Sequence, residues 1–585
     1  MSGLADAASS LNAVAMGEKK ADLILENCSL VSVYTGEIIP DTQILVAGDR
    51  IAYVGPDTGD AAGSKTISVD VQGKFVCPGF ADPHTHIDQF ILPSELAKRS
   101  LLCGVTSLFS DPVDIVSVAG YRGFREFLRL CEDLPIRIFQ TVPGGLPVDP
   151  RFSNSKTLDL SQERSALRHP DVVGMGEVFS WTKVTSRDSK TMQSLSAMLN
   201  NDCIINGHTA GLSGRKLDAY VSSGIMSCHE PIDFDQVVER LRLGMWIMIR
   251  EGSIRRDLIN IIPRILSSGT YTDRLMFCSD GLNPVDLQRY GHIDHCIRES
   301  VRLGIEPVQA IAMASKNCFD YYNMGRDMGG IAPGKLADMV VFDKLESVRP
   351  EQVFVGGRQA VSNGKFVARM RKKQIRPWIK KTVRLRRFHP ADFAAASKKN
   401  TVTANTIFML SEIITKLGNA KLPVRDGNVC TLYDRDVWKV AAFERTGHKK
   451  YCIGFLENFG AQIGAFASTW SLHENNLIVI GTNDSDMAVA ANSVVQSQGG
   501  MAVAKEGRIL ASMPLPIAGI ISADPFEKTM SAFEGINSCI TDSGCKFPMP
   551  HLVPLFLPFL ALPSVRILAG GMVDIKRKRL ISPYK

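Results

Sequence analysis

Short apolar runs that end on a polar or charged residue recur through the middle of this chain. They fall at residues 75–86, 105–111, 136–143, 172–177, 203–208, 227–230, 246–251 and 276–280. Between them lie stretches of helical period, such as 121–133 and 234–243. Eight strands alternating with helices over about 250 residues predict an α/β fold, a (β/α)8 TIM-like barrel. In that architecture the chemistry sits at the C-terminal ends of the strands, where most of these runs carry an ionisable group.

Strand text of a different kind flanks the barrel. Residues 22–25, 43–46 and 50–54 precede it, and 337–342 and 352–357 follow it. The two pieces predict one small β-sandwich, from 21–70 plus 330–368, with the barrel of 71–329 inserted in it. Residues 388–585 form a further region. There, strand-like 476–481 leads into a helical pattern over 485–498, stopped by Gly499-Gly500, and 501–504 reads as a strand. An α/β C-terminal domain is expected. The Ala/Ser-rich segment 1–20 is expected to be a flexible tail.

Composition narrows the setting. With 585 residues, 45% hydrophobic and 22% charged, the chain is an ordinary globular sequence too long for one core. It opens without a basic-then-apolar signal, and 552–561 is too short, and too broken by Pro554 and Pro558, to span a bilayer. Its 13 cysteines, odd in number and without Cys-x-x-Cys spacing, suit reduced thiols in a cytoplasm. Ten Lys/Arg and no acid fall between Arg369 and Arg387, in a chain of net charge +7. With no recognition motif beside it, the run at 369–387 reads as a basic linker or a contact with an acidic surface, not a nucleic-acid site.

His84-Thr85-His86 ends the first run. Positions i and i+2 of an extended chain share a face, so both imidazoles reach one ion. Random placement of 11 histidines in 585 residues gives roughly 0.2 such pairs, so the pair alone proves little. Later strand ends add Glu177, His208, His229 and Asp280. Four imidazoles and two carboxylates without a thiolate suit a pair of divalent first-row ions, with Mn, Fe and Zn all permitted. A metal brings the pKa of bound water from about 15.7 toward about 7, so hydrolysis by a metal-activated hydroxide is the chemistry expected. Asp280 would take its proton and hand it to a leaving nitrogen.

The run Pro78-Gly79-Phe80-Ala81-Asp82-Pro83-His84-Thr85-His86, with Glu177, His208, His229 and Asp280, resembles the amidohydrolase superfamily. Gly207-His208-Thr209-Ala210-Gly211-Leu212, Ser227-Cys228-His229-Glu230, Met248-Ile249-Arg250-Glu251-Gly252-Ser253 and Gly291-His292-Ile293-Asp294 are similar to the adenine deaminase family. So are Asn283-Pro284 and Pro514-Leu515-Pro516-Ile517-Ala518-Gly519. The resemblance runs from about residue 21 through the C-terminal domain. It implies hydrolytic deamination of adenine or a related 6-aminopurine to the 6-oxopurine and ammonia, a purine-salvage step. Two metal ions are implied, manganese or iron, held by His84, His86, Glu177, His208, His229 and Asp280. Glu230 and Glu251 become candidate acids for a purine ring nitrogen. The expected partners are a small purine and further copies of this chain, without nucleic acid or membrane.

Several positions depart from the family pattern. Asp-Pro-His-Glu becomes Asp111-Pro112-Val113-Asp114, and His-Ile-Glu-Ser becomes His86-Ile87-Asp88-Gln89. Asp-Asp-Arg becomes Asp280-Gly281-Leu282, and Ser-His-Asp-Ser-His-Asn becomes Ser471-Leu472-His473-Glu474-Asn475-Asn476. The changes point to a divergent member. They keep two alternatives open: hydantoinase-like hydrolysis of a cyclic amide or imide, and a non-catalytic purine-binding descendant.

Overall fold

The computed structural model describes residues 3–371, 373–447 and 449–585. Strands β1 (Leu23–Ser32), β2 (Glu37–Ala47) and β3 (Arg50–Gly55) form an antiparallel meander, and β4 (Ile67–Asp70) and β5 (Phe75–Pro78) run parallel to β1. The first twenty residues, expected as a flexible tail, contain helix α1 (Leu4–Ala15). Leu4, Ala7, Leu11 and Val14 fall at three- and four-residue spacing and pack on Ile24, Leu45 and Ala52. Small Ala and Ser residues mask this stripe in composition but do not remove it.

The run 75–86 is two strands, not one. It divides at Gly79, where a Cβ would lie 2.2 Å from Thr106 Oγ1. Phe75–Pro78 stays in the small sheet, and β6 (Phe80–Thr85) opens the barrel. The other runs give β7 (Val105–Ser110), β8 (Arg137–Val142), β9 (Val172–Val178), β10 (Ile204–Gly207), β11 (Ser227–Cys228), β12 (Trp246–Arg250) and β13 (Leu275–Cys278).

Parallel ladders join β6 through β10, and separately β11 through β13. Polar groups close the two seams. Between β13 and β6, the Asp280 amide donates to the His84 carbonyl at 3.1 Å and the Ser279 amide to Asp82 Oδ1 at 3.2 Å. Between β10 and β11, the Gly207 amide donates to Ser227 Oγ at 3.2 Å. A Cβ on Gly207 would meet the Ser227 carbonyl at 2.2 Å, so glycine permits the approach. Alternate residues Ala81, Phe109, Phe139, Met248 and Met276 fill the barrel interior, and Tyr322 stacks on Phe109 with ring centroids 3.8 Å apart.

After the barrel, β14 (Met339–Phe342), β15 (Gln352–Val355), β16 (Arg358–Ser362) and β17 (Lys365–Phe366) return to the first sheet, β14 pairing antiparallel with β5. Ile44 and Val46 from before the barrel share one apolar cluster with Met339, Val341 and Phe354 from after it. The basic run then crosses the barrel helix Val113–Cys131. Its Lys372 lies outside the described residues. Lys373 pairs with Glu132 and Asp133 at 3.1 and 2.9 Å, Arg376 approaches Glu126 at 3.3 Å, and Arg122 lies over the Trp378 ring. This part of the run meets Glu126 on the helix and Glu132 and Asp133 just past its end.

The C-terminal region is built on a mixed sheet in which Val437–Glu444 and Asn476–Gly481 pair centrally, with helix Asp484–Gln496 packed against it. It covers the mouth of the barrel. Phe90 exchanges backbone hydrogen bonds with Ile520 and Ser522 at 2.9 and 2.8 Å, and Ser117 meets Asn475. Among the described residues, no helix is long and apolar enough to cross a membrane.

Candidate metal centre and cavity

The end of β6 delivers His84 and His86 on one face, with ring centroids 5.1 Å apart. Glu177 comes from β9, His208 and His229 follow β10 and β11 directly, and Asp280 lies two residues past β13. Asp280 has φ +54° and the next residue, Gly281, φ +111°. Aspartate tolerates the left-handed region better than most residues, and this turn brings its carboxylate back over the barrel mouth.

All six side chains converge. Glu177 Oε1 lies 3.4 Å from His86 Nε2, and its Oε2 lies 2.6 Å from His208 Nδ1 and 3.3 Å from His229 Nε2. Asp280 Oδ1 lies 3.1 Å from His84 Nε2, 3.4 Å from His86 Nε2 and 3.9 Å from His229 Nε2. Three overlapping donor groups result: His84/His86/Asp280, His84/Glu177/His229 and His208/His229/Glu230, each with its donor atoms within 4.8 Å of one another. His86 Nδ1 sits 2.9 Å from the Asp111 carbonyl. A carbonyl only accepts, so Nδ1 carries the proton and Nε2 turns its lone pair inward. His229 Nε2 is buried and makes no directed hydrogen bond.

Electrostatics favour cations here. Burial alone pushes the Glu177 and Asp280 carboxyls up. Glu177 is nevertheless held well below the usual carboxylate range by His208, His229 and His86, and Asp280 by Arg250, His84 and His86. Burial, with the neighbouring His84, lowers His229 to about 4, leaving a neutral imidazole. Ionised carboxylates, neutral imidazole and an orphaned buried nitrogen fit divalent ions.

Two arginines with no role assigned from the sequence stand at the site. Arg250 Nη1 lies 2.6 Å from Asp280 Oδ2 and 2.7 Å from Glu230 Oε1, and Arg255 Nη1 lies 2.9 Å from Glu230 Oε2. Burial raises Glu230, but His208, Arg250, His229 and Arg255 bring it down to about 2. Glu230, expected as an acid, lies at the site with both carboxylate oxygens paired to arginines. Glu251 is not brought to the site. Its Oε2 accepts from the Leu258 amide at 3.4 Å and its Oε1 lies 3.6 Å from His295, outside the cavity lining. Period two in β12 explains the exchange: Trp246 and Met248 point into the barrel, so Arg250 does too.

The centre opens on a cavity of about 240 Å³. His86, Glu177, Glu230, Arg250 and Asp280 form its barrel wall, while Trp470, Leu472, His473, His551, Phe556 and Phe559 form the opposite wall. The departures from the family pattern cluster here. Gln89, Gly281 and Leu282 line the cavity. Gln89 Nε2 donates to Asp114 Oδ2 at 2.7 Å, and Asp88 accepts from the Ile115 amide at 2.8 Å. Burial and the nearby Asp114 push Asp88 up to about 8.

Comparison with known proteins gives the family. Residues 75–381 match the family model described as the amidohydrolase family, and 412–579 match the adenine deaminase C-terminal domain. The chain is 60% identical over 582 residues to an adenine deaminase of Cenarchaeum symbiosum (strain A), covering 99% of this chain and 96% of that one. It is 31% identical over 583 residues to an adenine deaminase of Clostridium botulinum (strain Loch Maree / Type A3), covering 98% and 97%. Among solved structures, a β-aspartyl dipeptidase from Fervidobacterium islandicum AW-1 is 16% identical with a TM-score of 0.46, over 60% of this chain and 98% of the other.

Proposed function

The chain belongs to the amidohydrolase family and, within it, to the adenine deaminases, and from that premise we propose that it hydrolyses adenine to hypoxanthine and ammonia. The observation that carries this reading is the convergence of four histidines on Glu177 and Asp280 beneath a cavity walled by the C-terminal domain. His84, His86, Glu177, His208, His229 and Asp280 would hold two divalent ions, manganese or iron. Bound ions supply Lewis acidity and a nucleophilic water at neutral pH.

The chain's own residues do the rest. Water adds at C6, the C6–amine bond breaks, and ammonia leaves with a proton that must be carried to it. Asp280 is the proposed carrier. Its Oδ1 faces the imidazoles and its Oδ2 is fixed by Arg250, an orientation set before substrate arrives. Glu230, ionised between Arg250 and Arg255, anchors both guanidinium groups at the cavity wall. Negative charge pushed into the purine ring would then meet guanidinium N–H groups instead of a carboxylic acid. The apolar C-terminal wall excludes bulk water and strengthens these interactions.

Purine salvage in a cytoplasm is the setting we propose. It is supported by the odd number of cysteines, 13, without Cys-x-x-Cys spacing. The test is ammonia release from adenine by Mn- or Fe-loaded protein. Asp280→Asn is expected to lower kcat at least 1,000-fold, on the order of a lost general acid–base group, with an unchanged circular dichroism spectrum. Full activity in that variant, or retained metal with no turnover of any 6-aminopurine by the wild type, contradicts the proposal.

A further inference from the structure

One hydroxyl ties together the ends of the two strands that deliver Glu177 and His208. Tyr220 projects from the last turn of the helix Gly214–Val221 and is fully buried. Its hydroxyl donates to the Val178 carbonyl at 2.7 Å and accepts from the His208 amide at 3.0 Å. Val178 directly follows Glu177 on β9, and His208 directly follows β10. The phenol therefore joins the main chain beside one proposed metal donor to the main chain of another.

The ladder between these strands slips where the hydroxyl sits. Ile205 pairs with Met175 and Gly207 with Val178, so two residues on β10 run against three on β9. A slipped ladder leaves backbone groups without strand partners, and buried N–H and C=O groups need partners. Tyr220 supplies one to each strand. A Cβ on Gly207 would lie 3.2 Å from the Tyr220 ring, so this glycine also makes room for the phenol. The side chains depend on the spacing thus set, since Glu177 Oε2 lies 2.6 Å from His208 Nδ1. Asp111 Oδ2 accepts from the Glu177 amide at 2.8 Å, so the main chain around Glu177 is held both before and after its side chain.

We propose that Tyr220 is a positioning residue of the metal centre. Its hydroxyl sets the separation of Glu177 and His208, and with it the affinity for the ion that His208 would help to hold. The inference rests on the metal-centre reading above. Groups that orient metal ligands from behind are worth about 10- to 100-fold in metal affinity. Neither hydrogen bond of Tyr220 reaches the segments that carry His84, His86 and Asp280, so the effect falls unequally on the two ions.

The test titrates manganese into metal-free wild type and Tyr220→Phe against a chelating competitor, and records the melting temperature of both metal-free proteins. The substitution removes one oxygen and keeps the ring beside Gly207. Expected is a dissociation constant raised about 10- to 100-fold for one ion and changed by less than about threefold for the other. At saturating manganese, kcat should fall while the KM for adenine stays within about twofold, because Tyr220 is not part of the cavity lining. Leu11→Ala, remote from the site, is the control for stability alone: a lower melting temperature with both constants unchanged. The same pattern in Tyr220→Phe, or equal weakening of both ions, overturns the inference while the metal centre stands. A wild type that binds fewer than two divalent ions overturns the metal-centre reading and this inference with it.

Discussion

Glu474 lies next to His473 in the cavity wall and is fully buried. Burial pushes its carboxyl up to about 8, offset only in part by Ser153 and the Asn154 amide. A folded-state pKa above the free value of about 4.3 means that the native protein holds an extra proton between the two. This contribution to stability is present at low pH and is lost as pH rises from about 4.5 through about 8. Glu474→Gln imitates the protonated acid. Its melting temperature should match the wild type near pH 5.5 and exceed it by a few degrees near pH 8.5; parallel pH profiles would show that Glu474 is ionised in the fold. Legibility at this scale followed residue type. Histidines and carboxylates at strand ends suggest ligands, so the six residues that converge here could be named from the sequence. Arg250, Arg255 and Trp470 are not ligand types, and only the strand register shows that Arg250 faces inward while Glu251 does not.

At the scale of elements, the eight barrel strands were readable because each is a short apolar run closed by a polar residue. Their seams were not. β11 is two residues long, and Ser227, Asp82 and Ser279 close the barrel through side-chain hydrogen bonds that no periodicity encodes. The division of the first run at Gly79 depends on the side chain of Thr106, also invisible locally. Helix α1 was hidden by its Ala/Ser composition, and its packing makes a quantitative claim. Leu11 is 6% exposed against the small sheet. Leu11→Ala should cost about 2 kcal/mol or more, read as a lower melting temperature with kcat unchanged, because α1 contributes nothing to the cavity. No change in melting would mean that the segment is frayed.

At the scale of the whole molecule, the active cavity belongs to neither the barrel nor the C-terminal region alone. The barrel supplies the converging histidines and carboxylates, and the rest of the lining comes largely from 470–473 and 551–559. The sequence shows where each region lies but not that one caps the other, since the contacts of Phe90 with 520–522 and of Ser117 with Asn475 join residues hundreds of positions apart. The basic run adds a tie to the barrel, where Lys373 and Arg376 meet Glu126, Glu132 and Asp133. The central claim is a dinuclear centre that deaminates adenine under this cap. Its most direct test is metal content and hypoxanthine formation measured on one preparation, before and after chelation and reloading with manganese or iron. Two divalent ions per chain, with turnover that disappears on chelation and returns on reloading, is the predicted result. Adenine turnover that persists in metal-free protein, or two bound ions with no hypoxanthine formed, would contradict it.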